Sequence, residues 1–102
     1  MSQLIIHQVL FTFKKGFGWT SKEALEAEKV TCNHINEIPE IYSWICGRSI
    51  IKRPQAVDFS LVGCFKSHSD LNAYLAHSDH QVGVKLWREI STWVVSDILI
   101  DA

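Results

Sequence analysis

Residues 4–13 alternate as a β-strand requires, with Ile5, His7, Val9, Phe11 and Phe13 on one side and Leu4, Ile6, Gln8, Leu10 and Thr12 on the other. Both sets are largely apolar. A sheet wetted on one face shows a polar set there, so this strand is expected to be covered twice, by helices on one side and by something else on the other. At 102 residues the chain has the length of one domain, residues 1–102, and no spare layer. The expected second cover is another copy of itself. One polar residue, His7, interrupts the apolar row. An unsatisfied buried polar group costs about 1–3 kcal/mol, so stability alone favours valine at that position.

The glycine-rich stretch Lys15-Gly16-Phe17-Gly18-Trp19 reads as a connection, and Thr20 followed by Glu23 has the form of a capping box. The helix it opens is expected to reach about residue 36. Its buried stripe is Ala24, Ala27, Thr31 and Ile35, flanked by Leu25 and Cys32, while Glu26, Glu28 and Lys29 face water. Ile38-Pro39 ends it, because the residue before proline is pushed out of helical geometry. Two strands follow, roughly 41–50 and 57–65, joined through Lys52-Arg53-Pro54-Gln55, where the proline cannot continue a ladder. Ser67 with Asp70 marks a second helix start, with Leu71, Tyr74 and Leu75 on its packed face. Ser78-Asp79 interrupts and re-caps this helix, which resumes through Val82, Leu86 and Trp87; residues 93–100 form a last strand. The order β-α-β-β-α-β specifies an α+β, ferredoxin-like split βαβ domain, a four-stranded antiparallel sheet with helices on one face.

Composition narrows the function classes. The chain is 47% hydrophobic and 21% charged, with ten basic and eleven acidic residues and a net charge of −1, which argues against a nucleic-acid partner. The basic pairs Lys14-Lys15 and Lys52-Arg53 read as solvated loop charges. No run approaches the ~18 apolar residues of a membrane span, and the first residues lack the basic leader of a signal peptide, so the expected location is the cytoplasm. Cys32, Cys46 and Cys64 are far apart in sequence, odd in number and without C-x-x-C spacing. They are expected to be buried free thiols rather than a disulfide framework or a zinc site.

The chemistry concentrates in Tyr74-Leu75-Ala76-His77-Ser78-Asp79-His80, where three groups able to move protons lie within seven residues on a helix and turn. His80 is well placed for presentation to a cavity, oriented by a carboxylate such as Asp79 or Asp97. His77 is expected to brace the turn. His34 and His68 fall on expected exposed faces and receive no role. His7, His77 and His80 meet the count for a catalytic zinc site, but an i, i+3 pair across a helix break does not guarantee convergence and no acidic ligand is placed, so neither metal nor cofactor is expected. The walls of a cavity near these residues are expected to come from Phe11, Phe13, Trp44, Phe59, Leu71 and Trp87. An aromatic lining of this kind suits a small apolar or ring-bearing ligand better than a sugar or nucleotide. Gly16 and Gly18 lack the spacing of a phosphate cradle.

Together these residues resemble the stress-responsive dimeric α/β-barrel family, whose plant members include a polyketide cyclase and small heat-stable stress proteins. The resemblance rests on His7-Gln8-Val9-Leu10-Phe11-Thr12-Phe13-Lys14, Ile38-Pro39-Glu40-Ile41, Gly47-Arg48, Phe65, Tyr74-x-x-His77-x-x-His80 and Asp97, spanning about residues 6–99. It implies a homodimer in which two four-stranded sheets meet face to face as a dimeric α+β barrel, with a pocket between each sheet and its own helices. It also implies that His7, Tyr74 and His80 line that pocket, as in the cyclase branch, where they serve cofactor-free aldol chemistry on a polyketide-like substrate. One departure is Ser78, where the family often has proline, which loosens the turn that carries His80. Three functions follow as expectations: a cofactor-independent lyase or cyclase with His80 as base, Tyr74 as oxyanion donor and His7 as a supporting group; a non-enzymatic stress or small-molecule-binding dimer; and a cofactor-free oxygenase like that of related barrels of a different family.

Overall fold

Four strands and four helices follow one another through residues 2–101, the part of the chain that the computed structural model describes. The elements are β1 (Gln3–Phe13), α1 (Lys22–Cys32), α2 (His34–Glu37), β2 (Ser43–Arg48), β3 (Phe59–Phe65), α3 (His68–Ala76), α4 (Ser78–Ile90) and β4 (Ser91–Asp101). The sheet has the order β2-β3-β1-β4 with every neighbouring pair antiparallel. This is the ferredoxin-like arrangement that the element order specifies.

Cross-strand register decides which side chains share a face. His7 pairs with Gly63 and Asp97, Phe11 with Phe59 and Trp93, and Val9 with Leu61 and Val95, so all of these point to the helix side. The helices close over that side in two apolar groups. One gathers Val9, Phe11, Ala24, Ala27, Phe59, Leu61, Trp87 and Ile90; the other gathers Ile5, Ile38, Ile41, Phe65, Leu71 and Tyr74. Trp87 anchors the first by stacking on Phe11 (4.3 Å between ring centres) and Phe59 (5.1 Å). His7 stands on β1 between Ile5 of one group and Val9 of the other, at their seam.

The opposite face is bare. Leu4, Ile6 and Leu10 of β1, Val62 of β3, Ile45 of β2 and Val94, Ile98 and Ile100 of β4 form it, with Ile45 71% exposed and Val94 64% exposed. An apolar surface of this extent on a sheet calls for a cover.

Several boundaries differ from the sequence expectations. The first helix is entered from Ser21 rather than Thr20, and no side-chain capping bond forms; the Ser21 hydroxyl instead accepts the Gly18 N–H at 3.1 Å. The helix breaks at Asn33, whose N–H donates back to Lys29 and Val30 carbonyls, and a separate turn begins at His34. The stripe continues through His34, which is buried in the place expected of Ile35; Ile35 is 39% exposed, and Leu25 and Cys32 are exposed too. The apolar anchor of this region is Ile38, fully buried at the end of α2. β2 and β3 are shorter than expected because residues 49–58 leave the ladder, held by a bond from Ser49 N–H to the Asp58 carbonyl. β4 is longer and runs beside β1 along its whole length. At α3 the expected cap is present, with Ser67 Oγ accepting the Asp70 N–H at 3.0 Å.

Candidate active site

His77 lies between α3 and α4, and its Nδ1 accepts the Asp79 N–H at 3.0 Å, so the imidazole itself caps α4. This fixes the first turn of α4, where Asp79 reaches His34 of α2 and His80 reaches Leu75 of α3. The His80 Nδ1 lies 3.0 Å from the Leu75 carbonyl oxygen. A carbonyl only accepts, so this nitrogen carries the proton and Nε2 keeps a lone pair. The ring of His80 packs on Tyr74 (4.4 Å between centres), and Tyr74 packs on His7 (5.5 Å). The three expected residues therefore come together in one cluster.

Each has an environment that sets its chemistry. Burial of the Tyr74 phenol, reinforced by the Asp97 charge, raises its pKa well above the usual tyrosine range, so it stays a neutral O–H donor. Burial pulls the His80 pKa below the ordinary imidazole value against the bond to Leu75, which raises it; the neighbouring imidazoles of His34, His7 and His77 lower it further. His7 is buried, and its Nδ1 is 2.5 Å from Asp97 Oδ1, reaching it across the β1–β4 pair.

A fourth side chain joins them that the sequence expectations passed over. His34, assigned to an exposed face, is buried, with Nδ1 2.6 Å from Asp79 Oδ2 and its ring 6.1 Å from that of His80. Its Nε2 occupies space that exists because residue 83 on α4 is glycine: a Cβ there lies 3.0 Å from that nitrogen. The signal was present in the spacing, since His34 follows Thr31 by three and Ala27 by seven. Assignment of the carboxylates also changes: Asp97 serves His7 and Asp79 serves His34, whereas a backbone carbonyl orients His80.

These groups border a cavity of about 140 Å³ between the sheet and α4. Apart from the histidines and Tyr74, its walls are mainly Val9, Phe11, Leu61, Val84, Trp87 and Trp93, with Thr31 as a polar contributor. Thr31 ties the wall together, its hydroxyl accepting the Trp87 indole N–H at 2.7 Å and its carbonyl the Trp44 indole N–H at 3.1 Å. Of the six side chains expected as walls, Phe11 and Trp87 border the cavity. Phe13 and Phe59 pack with Trp19 and Trp87 instead, Leu71 lies in the second apolar group, and Trp44 lies over Gly63 beside Tyr74. Half-exposed Val95 and partly exposed Leu75 and His80 mark its opening to solvent. A cavity of this size accommodates a molecule on the scale of benzene. Among the described residues, no three His, Cys, Asp or Glu side chains cluster so as to share a metal ion.

Residues 5–100 match the model of the stress responsive A/B barrel domain. The chain belongs to this family. An uncharacterized protein of Streptomyces coelicolor is 35% identical over 94 residues, covering 92% of this chain and 97% of that protein. Two solved structures share the barrel-domain fold closely. A dimeric ferredoxin-like protein of unknown function from Thermobifida fusca superposes with a TM-score of 0.84 at 17% identity, over 98% of this chain and 93% of its own. The hydroxynitrile lyase of Passiflora edulis does so with a TM-score of 0.83 at 17% identity, over 99% and 96%. The structures that share this fold include several described as dimeric and ferredoxin-like. No helix among the described residues is long and apolar enough to cross a membrane.

Proposed function

We propose that this chain is a cofactor-independent lyase or cyclase that breaks or forms a carbon–carbon bond next to a carbonyl of a small oxo compound. One observation carries the reading: the Nδ1 atoms of His80, His7 and His34 all face an oxygen acceptor, so that Nε2 is the nitrogen each has left for a ligand, around one apolar cavity beside a buried neutral phenol. His80 Nε2 takes a proton from the carbon beside the carbonyl, or from a hydroxyl whose carbon–carbon bond then breaks. The Tyr74 hydroxyl donates to the oxygen on which negative charge develops, and His7, held by Asp97, supports that oxygen from the other side. A retro-aldol step balances without a redox partner. The proton leaves the hydroxyl for His80, the carbonyl forms as the bond breaks, and the departing carbanion is protonated by the imidazolium.

The size of the cavity favours a small aromatic or branched carbonyl compound, or the reacting end of a longer polyketide-like chain entering at the opening. The likeness to a hydroxynitrile lyase fits this polarity of bond cleavage. Homodimerisation through the bare sheet face belongs to the same reading, since a second copy supplies the missing apolar layer. The apolar lining also favours a second reading, in which the dimer holds a small apolar ligand without turning it over.

Turnover of a panel containing α-hydroxynitriles, β-hydroxy ketones and a poly-β-keto thioester distinguishes them. Wild type is expected to release or cyclise one class, with His80→Ala and Tyr74→Phe each slower by roughly 10²-fold or more. Equal rates in all three proteins reject the assigned roles, and saturable binding with no turnover supports the second reading.

A further inference from the structure

Cys32 ends α1 and Cys46 sits mid-way along β2, yet their sulfurs are 2.9 Å apart, with the Cys46 S–H donating to Cys32. All three thiols are free and Cys64 is buried, as expected, but Cys32 and Cys46 are not buried and lie together, for a topological reason. β2 turns Cys46 to the helix side, opposite Leu61, just where α1 terminates. Cys32 is exposed and reachable by a solute, Cys46 is half-buried, and Cys64 is buried. Cys64 pairs with Ser43 and Ile6 and so points to the other face of the sheet, away from the pair.

We infer that Cys32 and Cys46 form a reversible dithiol–disulfide site, oxidised by a peroxide or by exchange with a small disulfide. Cys32 is the sulfur open to solvent and so the one a peroxide reaches first, while burial and the neighbouring Cys32 push the Cys46 thiol up to about 12, so that it holds its proton. The Cys32 thiolate attacks one peroxide oxygen, the O–O bond breaks, and the departing hydroxide becomes water on protonation. Cys46 sulfur then attacks the sulfenic sulfur of Cys32, its proton leaves with the hydroxyl as a second water, and the S–S bond closes. Two thiols supply the two electrons that reduce the peroxide, and a reducing dithiol reverses the step.

The site is joined to the cavity wall. Cys32 follows Thr31, which holds the indoles of Trp44 and Trp87, and precedes His34 by two residues. A bond from Cys32 to Cys46 fastens the end of α1 to β2 and restrains Thr31 and His34 with it. The constraint closes a short loop and acts mainly on the unfolded chain.

The test treats the reduced full-length protein with a slight excess of hydrogen peroxide, then denatures and alkylates it for intact-mass and peptide analysis. Expected are a loss of 2 Da, one remaining alkylatable thiol at Cys64, a linked Cys32–Cys46 peptide and a Tm raised by roughly 5 °C or more, all reversed by dithiothreitol. Cys46→Ser should stop at a dimedone-trappable Cys32 sulfenic acid. Three alkylatable thiols after oxidation, a bond through Cys64 or between chains, or an internal bond without a rise in Tm overturns the inference.

Discussion

At the scale of single residues, His80 and Tyr74 differ in how burial acts on them, and that difference is what makes them complementary. Desolvation disfavours the charged form of each, so it keeps the imidazole unprotonated and the phenol protonated over one shared pH range. The proposed base and the proposed donor are thereby both in working form at neutral pH. The acid limb of kcat/KM for the assigned reaction should fall below the ordinary imidazole value of 6.5, and no loss should come from Tyr74 ionisation up to pH 10. A pH–rate profile with its acid inflection above 6.5 contradicts this assignment of the base. The same shift has a stability sign. Since the folded protein holds His80 below its unfolded value, this contribution is present above pH 6.5 and is lost as the pH drops through the lowered pKa.

At the scale of elements, α4 carries the conflict between local preference and site geometry. Glycine in a helix interior normally costs about 0.5–1 kcal/mol against alanine. At Gly83 a methyl group meets His34 Nε2 at 3.0 Å and Cε1 at 3.2 Å, and that ring is pinned by Asp79. Gly83→Ala is therefore expected to lower unfolding free energy in urea by about 1 kcal/mol instead of raising it; a gain in stability counters the packing described for His34. The same element shows what the sequence could disclose. Alternation along β1, the Ser67 cap and the interrupted helix pair were legible because each is local, set by a period or by a residue three positions away. His34 was passed over because Ile35, four residues after Thr31, offered an apolar choice for the same face, and spacing alone allows either position. The Asp97 partner of His7 was hidden because it depends on strand register between segments far apart in the chain, and the Cys32–Cys46 contact because it depends on where the end of α1 lies against β2. Four of the six expected wall residues are aromatic or aliphatic core instead of lining, since period alone cannot tell a cavity from the packing around it.

At the scale of the whole molecule, one chain leaves half of its sheet surface without a partner. Ile45, Val94 and Ile98 are each more than half exposed on that face, far from the helices that bury its other side. Light scattering after size exclusion should give twice the mass of one chain for the wild type and the mass of a single chain for Ile98→Asp. A monomeric wild type counts against the homodimer. What the molecule then presents is a scaffold that holds three imidazoles and a phenol in one apolar hollow, where these groups are proposed to move protons for a bound carbonyl compound. Exchange of the methyl protons of acetophenone in D₂O, followed by proton NMR, reads that transfer without knowledge of the natural substrate. Wild type should exchange well above the buffer rate, with His80→Ala and Tyr74→Phe slower by roughly 10²-fold; exchange at the buffer rate, or at one rate in all three proteins, contradicts it.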